Sequence, residues 1–312
     1  MEHRELMVRA AWLYHVEGLT QQQIAERMNI TRRRVNEILS EALETGVVRV
    51  SFESPLAESV ELEAKLRDRF GLLDAVVVPS PNDPALLHSV MGRGAAGFLG
   101  RMIQTQKPAS IGVGWGSTLR ETIQHMPSLN EPQIKVRSMM GGLTHGSEIN
   151  TFEIVRGFAQ VLNAQCRYFA APIYAESPES RDAIISQAVF QHTFRQICEV
   201  DVAYLSVGDV SQQSLQVRYG LPHGMNEQIL QKAGAVGDLM GRYLDLSGKE
   251  IDHPLNRQVL SPEMEDFRKI GCRIVASGGA HKHRILQAVV RSGLVNVLIT
   301  DADSARAVLR VS

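Results

Sequence analysis

Three consecutive arginines, Arg32, Arg33 and Arg34, follow Thr31 in the stretch LTQQQIAERMNITRRRVNEIL, Leu19 to Leu39. A guanidinium is a planar fork of donors that can grip a guanine edge or a phosphate with two bonds, and an asparagine such as Asn36 matches an adenine edge in the same way. With Val35 turned toward a core, the outward set is Arg32, Arg33, Arg34, Asn36 and Glu37. Thr20, Gln21 and Thr31 are better placed for phosphate oxygens. Positive charge in the first turn of a helix costs roughly 0.3–1 kcal/mol per exposed residue unless an anion answers it. Bulk attraction does not explain the triplet, because residues 1–50 carry seven arginines and seven glutamates. Placement at the head of a helix does.

A second group of residues suits small anions and hydroxyls. In IGVGWGSTL, Gly112, Gly114 and Gly116 flank Trp115 and run into Ser117 and Thr118, which open a helix. Glycines let backbone approach an anion, and a helix N-terminus offers N–H groups and a favourable dipole. The spacing G-x-G-x-G is neither the dinucleotide fingerprint nor a P-loop, so the turn is either a phosphate seat or a packing turn. ASGGAHKHRI repeats the pattern, with Gly278 and Gly279 ending a strand and Lys282 starting a helix. A cation there conflicts with the dipole unless an anion sits between them. GAVGDLMGRYLDLSG carries Asp238 and Asp245, suited either to sugar hydroxyls or to turn capping. Gly142, in the polar loop Met140 to Asn150, is counted with this ligand set, and SVGD (Ser206 to Asp209) is a further polar loop. His145, Glu148, His223 and His253 have no partner at a recognisable spacing, and no catalytic residue is assigned. His281 and His283 read as turn residues, with no carboxylate cluster to complete a metal shell.

The elements that must position these residues fall into two textures. Leu6, Ala10, Leu13 and Tyr14 line one face of a first helix, which Gly18 ends. Thr20 with Gln23 forms a capping box for a short second helix, Asn29 turns the chain, and Thr31 caps a third helix with Val35, Ile38, Leu39, Ala42 and Leu43 inward. VVRVSF reads as a following strand. This is the pattern of a winged helix-turn-helix. LAESVELEAKLRDRFGL then reads as a connector helix ending at Gly71, with Leu56, Val60, Leu66 and Phe70 as a possible seam. From Leu72 onward, seven apolar runs alternate with helical patterns, which indicates an α/β fold with a mostly parallel sheet roofed on both faces. Ligands in such sheets collect outside the carboxyl ends of the strands.

A chain of 312 residues, 44% hydrophobic and 21% charged, has an ordinary globular composition. Its formal net charge of -1 argues against nucleic acid coating the whole surface, though not against one small binding module. Three separated cysteines, Cys166, Cys198 and Cys272, suggest neither a disulfide framework nor a zinc site. No apolar run is long enough to span a bilayer, and the charged N-terminus does not read as a signal peptide. A cytoplasmic location without cofactor or metal is expected.

The ordered set GLTQQQIAERMNITRRRVNEIL, GVGWGSTL, GAVGDLMGRYLDLSG, ASGGAHKHRILQAVV and VLITDADSARAVL resembles SorC-type transcriptional regulators over nearly the whole chain. The front end is most similar to regulators of polyol operons. The resemblance implies a large domain like the sugar-phosphate isomerases and deaminases of the ribose-isomerase type, used to sense a sugar, a polyol or its phosphate. It implies double-stranded operator DNA as partner and a homo-oligomer, dimer or tetramer. It makes Gly114, Gly116, Ser117, Thr118 and Lys282 phosphate-side residues and Asp238 and Asp245 candidates for the polyol side. The expected organisation is a helix-turn-helix at 1–52, a linker helix at 53–71 and an effector-binding and oligomerisation domain at 72–312. The alternative is a sugar-phosphate isomerase or deaminase with an appended helix-turn-helix. Such an enzyme needs an acid/base pair, for which Asp238 with His145 is the nearest approach.

Overall fold

The computed structural model describes residues 3–48, 56–143 and 149–310. The chain divides into two compact units, residues 1–54 and 55–312.

The first unit is three helices, α1 (His3–His15), α2 (Gln21–Met28) and α3 (Arg32–Glu44). Both halves of the Thr20–Gln23 capping box are formed, and Asn29 adopts the left-handed conformation at φ 53° that lets the chain turn. Thr31 caps α3 by accepting from the Arg34 N–H at 3.2 Å. Ala10, Ile24, Val35, Ile38 and Ala42 are fully buried and fix the three axes. Two expectations fail here. Tyr14 and Leu43 are exposed, and Met7 and Ala11 take the inner face of α1 instead. The expected wing strand lies, from residue 49 on, outside the described residues.

The second unit is built on a seven-stranded parallel sheet. Its strands are β1 (Asp74–Val78), β2 (Ser110–Val113), β3 (Lys135–Ser138), β4 (Gln165–Arg167), β5 (Val202–Leu205), β9 (Cys272–Ala276) and β10 (Val297–Asp301). Each coincides with one of the seven apolar runs. The order is β1-β10-β9-β5-β2-β3-β4. Side chains alternate between faces. Val202 and Tyr204 enter the core under α5 (Leu87–Gln106), α6 (Ser117–His125) and α7 (Thr151–Val161), while Ala203 and Leu205 enter the opposite core. That two-sided burial is why the runs read as continuously apolar.

Two further features depart from the sequence reading. The stretch GAVGDLMGRYLDLSG folds with residues of the SVGD loop as a three-stranded antiparallel sheet, β6 (Val207–Asp209), β7 (Gly237–Leu239) and β8 (Arg242–Leu244). Met240 and Gly241 between β7 and β8 both have positive φ, 56° and 78°, the requirement of a tight type I′ hairpin. The expected connector, α4 (Ala57–Phe70), is part of the sheet unit: Leu62 and Leu66 are in its core, and Glu63 accepts from the Val77 N–H at 2.9 Å. Leu56 and Val60 are exposed, so the seam is split between inside and outside. Among the described residues, no helix is long and apolar enough to cross a membrane.

Candidate functional site

Strand order reverses direction around β2. The chain leaves β2 toward β3 and β4, then returns to place β5 on its other side. The carboxyl ends of β2 and β5 therefore diverge and leave a crevice between them. The Gly114 N–H donates to the Tyr204 carbonyl at 3.2 Å and closes its floor. A cavity of about 150 Å³ occupies this crevice, lined by Gly114 to Thr118, by Leu205 to Asp209 and by residues from the small sheet and the Lys282 turn. It is smaller than the ~300–1,000 Å³ of pockets for drug-sized ligands, which suits one small polar molecule.

A helix start and a cation both line the cavity. Gly116 is the N-cap of α6 at φ 124°, a conformation that side chains rarely adopt, and no side chain caps the turn. The helix thus presents its first N–H groups without a competing cap. Thr118 is buried, and its hydroxyl lies 3.1 Å from His88 Nδ1. Lys282 stands at the N-cap of the His283–Arg291 helix, as expected. Burial lowers its pKa, while Asp209 and Asp238 pull it back up. Burial, helped by Lys282 and His281, pushes His88 down to about 4, so it is neutral at pH 7.

The same lining is rich in oxygen acceptors. Asp238, on β7, is buried, and its pKa is pushed up to about 6 by that burial, against the Gly241 N–H bond and Lys282. One carboxylate oxygen accepts from the Gly241 N–H at 3.0 Å, and the other has no partner. That free oxygen lies where a Cβ on Gly208 would come within 2.1 Å of it, so only glycine fits beside the carboxylate. Ser214 and Gln216, from the segment after β6, also line the cavity, and each is buried with an unpartnered oxygen.

The cavity thus brings together seven of the ten expected ligand residues: Gly114, Trp115, Gly116, Ser117, Thr118, Asp238 and Lys282. Three lie elsewhere. Asp245 caps the turn after β8, accepting from the N–H groups of Ser247 and Lys249. Gly142 donates to the Ala171 carbonyl and bridges to Pro172. The Gly279 N–H is held by Asp301 and Ser304, so this residue shapes the Lys282 turn from behind. His281 lines the cavity, although its sequence read as a turn residue. His88, Ser214 and Gln216 are additions that no motif marks, and Met240 comes from the stretch that carries Asp238. His253 caps a helix by accepting from the Leu255 N–H. His145 and Glu148 lie outside the described residues. Among those described, no group of three or more His, Cys, Asp or Glu could hold a metal.

In the first unit, Arg32, Arg33, Asn36 and Glu37 are exposed on α3, and Arg34 is partly so. Glu37 accepts from Arg33 and from Arg34, each at 3.1 Å, which lowers its pKa. Gln21 donates to the Asn36 side chain at 3.2 Å, tying the start of α2 to the outer face of α3. Thr20 and Thr31 hold the two helix starts. The outward set expected from the spacing is the set exposed.

Comparison with known proteins bears on both units. The family described as "Putative sugar-binding domain" matches residues 54–310, and "Sigma-70, region 4" matches residues 3–45. The erythritol catabolism regulatory protein EryD of Brucella abortus is 27% identical over 97% of this chain and 96% of its own. The deoxyribonucleoside regulator of Bacillus subtilis is 29% identical over 99% of this chain and 98% of its own. The full-length sorbitol operon regulator SorC from Klebsiella pneumoniae shares the fold, with a TM-score of 0.72 at 24% identity over 99% of this chain and 100% of that one.

Proposed function

The chain belongs to the SorC-type family of sugar-binding transcriptional regulators, and from that premise we propose that its crevice at the ends of β2 and β5 is the effector site and that α3 is the DNA-reading helix. The effector is a sugar, a polyol or its phosphate, and the target is a carbohydrate or polyol catabolic operon. The observation that carries the reading is the cavity itself, whose lining combines an uncapped helix start, Lys282, and Asp238 with an unpartnered oxygen. The first two suit an anion and the third suits hydroxyl donors.

On the DNA side, Arg32, Arg33 and Arg34 meet guanine edges or phosphates, Asn36 an adenine edge, and Thr20, Gln21 and Thr31 the backbone. One such head covers half a site. A cytoplasmic homo-oligomer, dimer or tetramer, places two heads on paired half-sites. Effector binding changes operator affinity by the difference in its own affinity for the two arrangements.

The test is a thermal-shift screen of polyols, sugars and their phosphates, followed by operator footprinting with and without any hit. A ligand that stabilises the protein and alters the footprint supports the assignment. A screen in which no such compound shifts the melting transition rejects the effector site.

A further inference from the structure

The acceptor wall carries more information than the presence of a site. Among the described residues, six buried side-chain atoms have no hydrogen-bond partner, and three of them, on Ser214, Gln216 and Asp238, belong to residues lining this one cavity. Native proteins pair nearly all such atoms, so a cluster of exceptions around one void marks groups reserved for a ligand.

The chemical character of the cluster follows from its neighbours. A glutamine amide can be turned either way, and its network decides which end points where. The Tyr174 hydroxyl donates to the Gly241 carbonyl at 2.5 Å, so its single proton is committed. Whatever Gln216 presents to Tyr174, at 3.1 Å, must therefore be the donating NH₂. Burial holds the Tyr174 pKa well above its ordinary value, which keeps that proton in place. The free end of Gln216 is thus its carbonyl oxygen, an acceptor. The free Asp238 oxygen is an acceptor as well. It and the Ser214 hydroxyl both lie beside Gly208, within 2.1 Å and 3.7 Å of the position a Cβ there would take. Two of the three groups can only accept, and the third can do either.

Resting on the effector-site reading above, we propose that Ser214, Gln216 and Asp238 form a hydroxyl-selecting subsite, with Gln216 as a specificity-determining residue for effectors that carry neighbouring hydroxyl groups. A ligand of the same length lacking those hydroxyls fills the space but leaves the oxygens as unpaired as they are in the free protein. Each oxygen that a ligand hydroxyl does pair gains on the order of ten- to a hundred-fold in affinity over the chain-matched analogue. The selection acts against reduced or deoxygenated analogues rather than against a particular chain length.

The experiment is calorimetric titration of the full chain with erythritol, sorbitol and their terminal monophosphates. These are set against 1,4-butanediol, 1,6-hexanediol and their monophosphates, with inorganic phosphate as a further probe. The wild-type protein should prefer the hydroxylated member of a chain-matched pair by at least about thirty-fold. Gln216→Leu should reduce that preference about ten-fold or more, and Gln216→Glu, which retains an acceptor, should restore part of it. Ser214→Ala, which leaves the Tyr174 link intact, should lower the preference without lowering thermal stability. Equal binding of polyols and diols, or an unchanged preference in both Gln216→Leu and Ser214→Ala, overturns the subsite while the effector site stands. No binding by any probe overturns both.

Discussion

Glu37 lies one helical turn after Arg33 and accepts its Nε–H at 3.1 Å, so in the free protein α3 holds its own counter-ion. Arg34 reaches the other oxygen of the same carboxylate at 3.1 Å. Exposed pairs of this kind add little to stability, and phosphates displace them readily. Their consequence is selectivity: a carboxylate beside two arginines weakens the grip on any phosphate backbone and leaves base contacts to decide. Glu37→Ala should raise affinity for random DNA several-fold and steepen its salt dependence, with a smaller gain on operator DNA. Fluorescence anisotropy on both sequences across a salt series measures this, and an equal gain on the two would make Glu37 a general electrostatic brake.

Arg33→Ala and Arg34→Ala should each weaken operator binding by roughly 1–3 kcal/mol if they read bases, with a smaller loss on random DNA. Equal losses on the two sequences would mark them as phosphate contacts.

Lys282→Ala should abolish the effector response in a gel-shift titration while operator affinity stays within about two-fold. The lysine lines the cavity proposed for the effector, while the residues expected to touch DNA all lie in the first unit. A variant that still responds at the same effector concentration would show that no anionic group is sensed there.

Asp238 is held at a cost. Its pKa is raised from 3.8 to about 6, so the penalty is absent below pH 3.8, where both folded and unfolded states are protonated. It grows as pH rises through 6 and is complete at neutral pH. Asp238→Asn should therefore stabilise the ligand-free protein at pH 7.5 by about 1–3 kcal/mol while weakening effector binding. Denaturant unfolding at pH 7.5 and at pH 4.5 checks this, since the gain must shrink at the lower pH.

His88 works in the opposite direction. The unfolded chain protonates it near 6.5 and the folded protein only near 4. Its contribution to stability is full above pH 6.5 and declines as pH falls toward 4. His88→Gln should flatten stability across that window, by on the order of 1 kcal/mol after allowing for its partial exposure. An unchanged pH profile would mean that His88 is solvated enough to titrate normally.

Legibility in the sequence followed the range of the interactions. The caps at Thr20 and Thr31, the turn at Asn29 and the seven strands rest on neighbours a few residues apart or on simple alternation. The glycine turn around Gly116 and the Lys282 turn were readable for the same reason, as strand-to-helix junctions of distinctive composition. Ser214 and Gln216 were not, because nothing nearby in the chain marks them. The role proposed for them rests on Tyr174, forty-two residues before Gln216 in the chain, and on Asp238, which the small sheet sets beside Gly208. Asp238 and Asp245 looked alike within one stretch, yet the type I′ turn at Met240-Gly241 turns one into the cavity and leaves the other capping an exposed loop. Burial, not residue type, separates them.

The same distinction applies to α4, where an amphipathic stripe read as a connector proved to be part of a core. Leu66 is fully buried against the sheet unit, whereas Val60, on the same helix, is 60% exposed. Leu66→Ala should destabilise the α/β unit by about 2–5 kcal/mol, the range for emptying a buried leucine site. Val60→Ala should change it by less than about 0.5 kcal/mol. Scanning calorimetry of the two variants separates the cases. If α4 only connected the units, both substitutions would leave the main transition where it is. A change of oligomeric state in Val60→Ala, read by sedimentation, would instead assign the outer stripe to a contact between subunits. With Leu66 in the core, a fragment starting at residue 72 loses a packed helix as well as the Glu63 bond to Val77. Such a fragment should melt well below one that starts at residue 55.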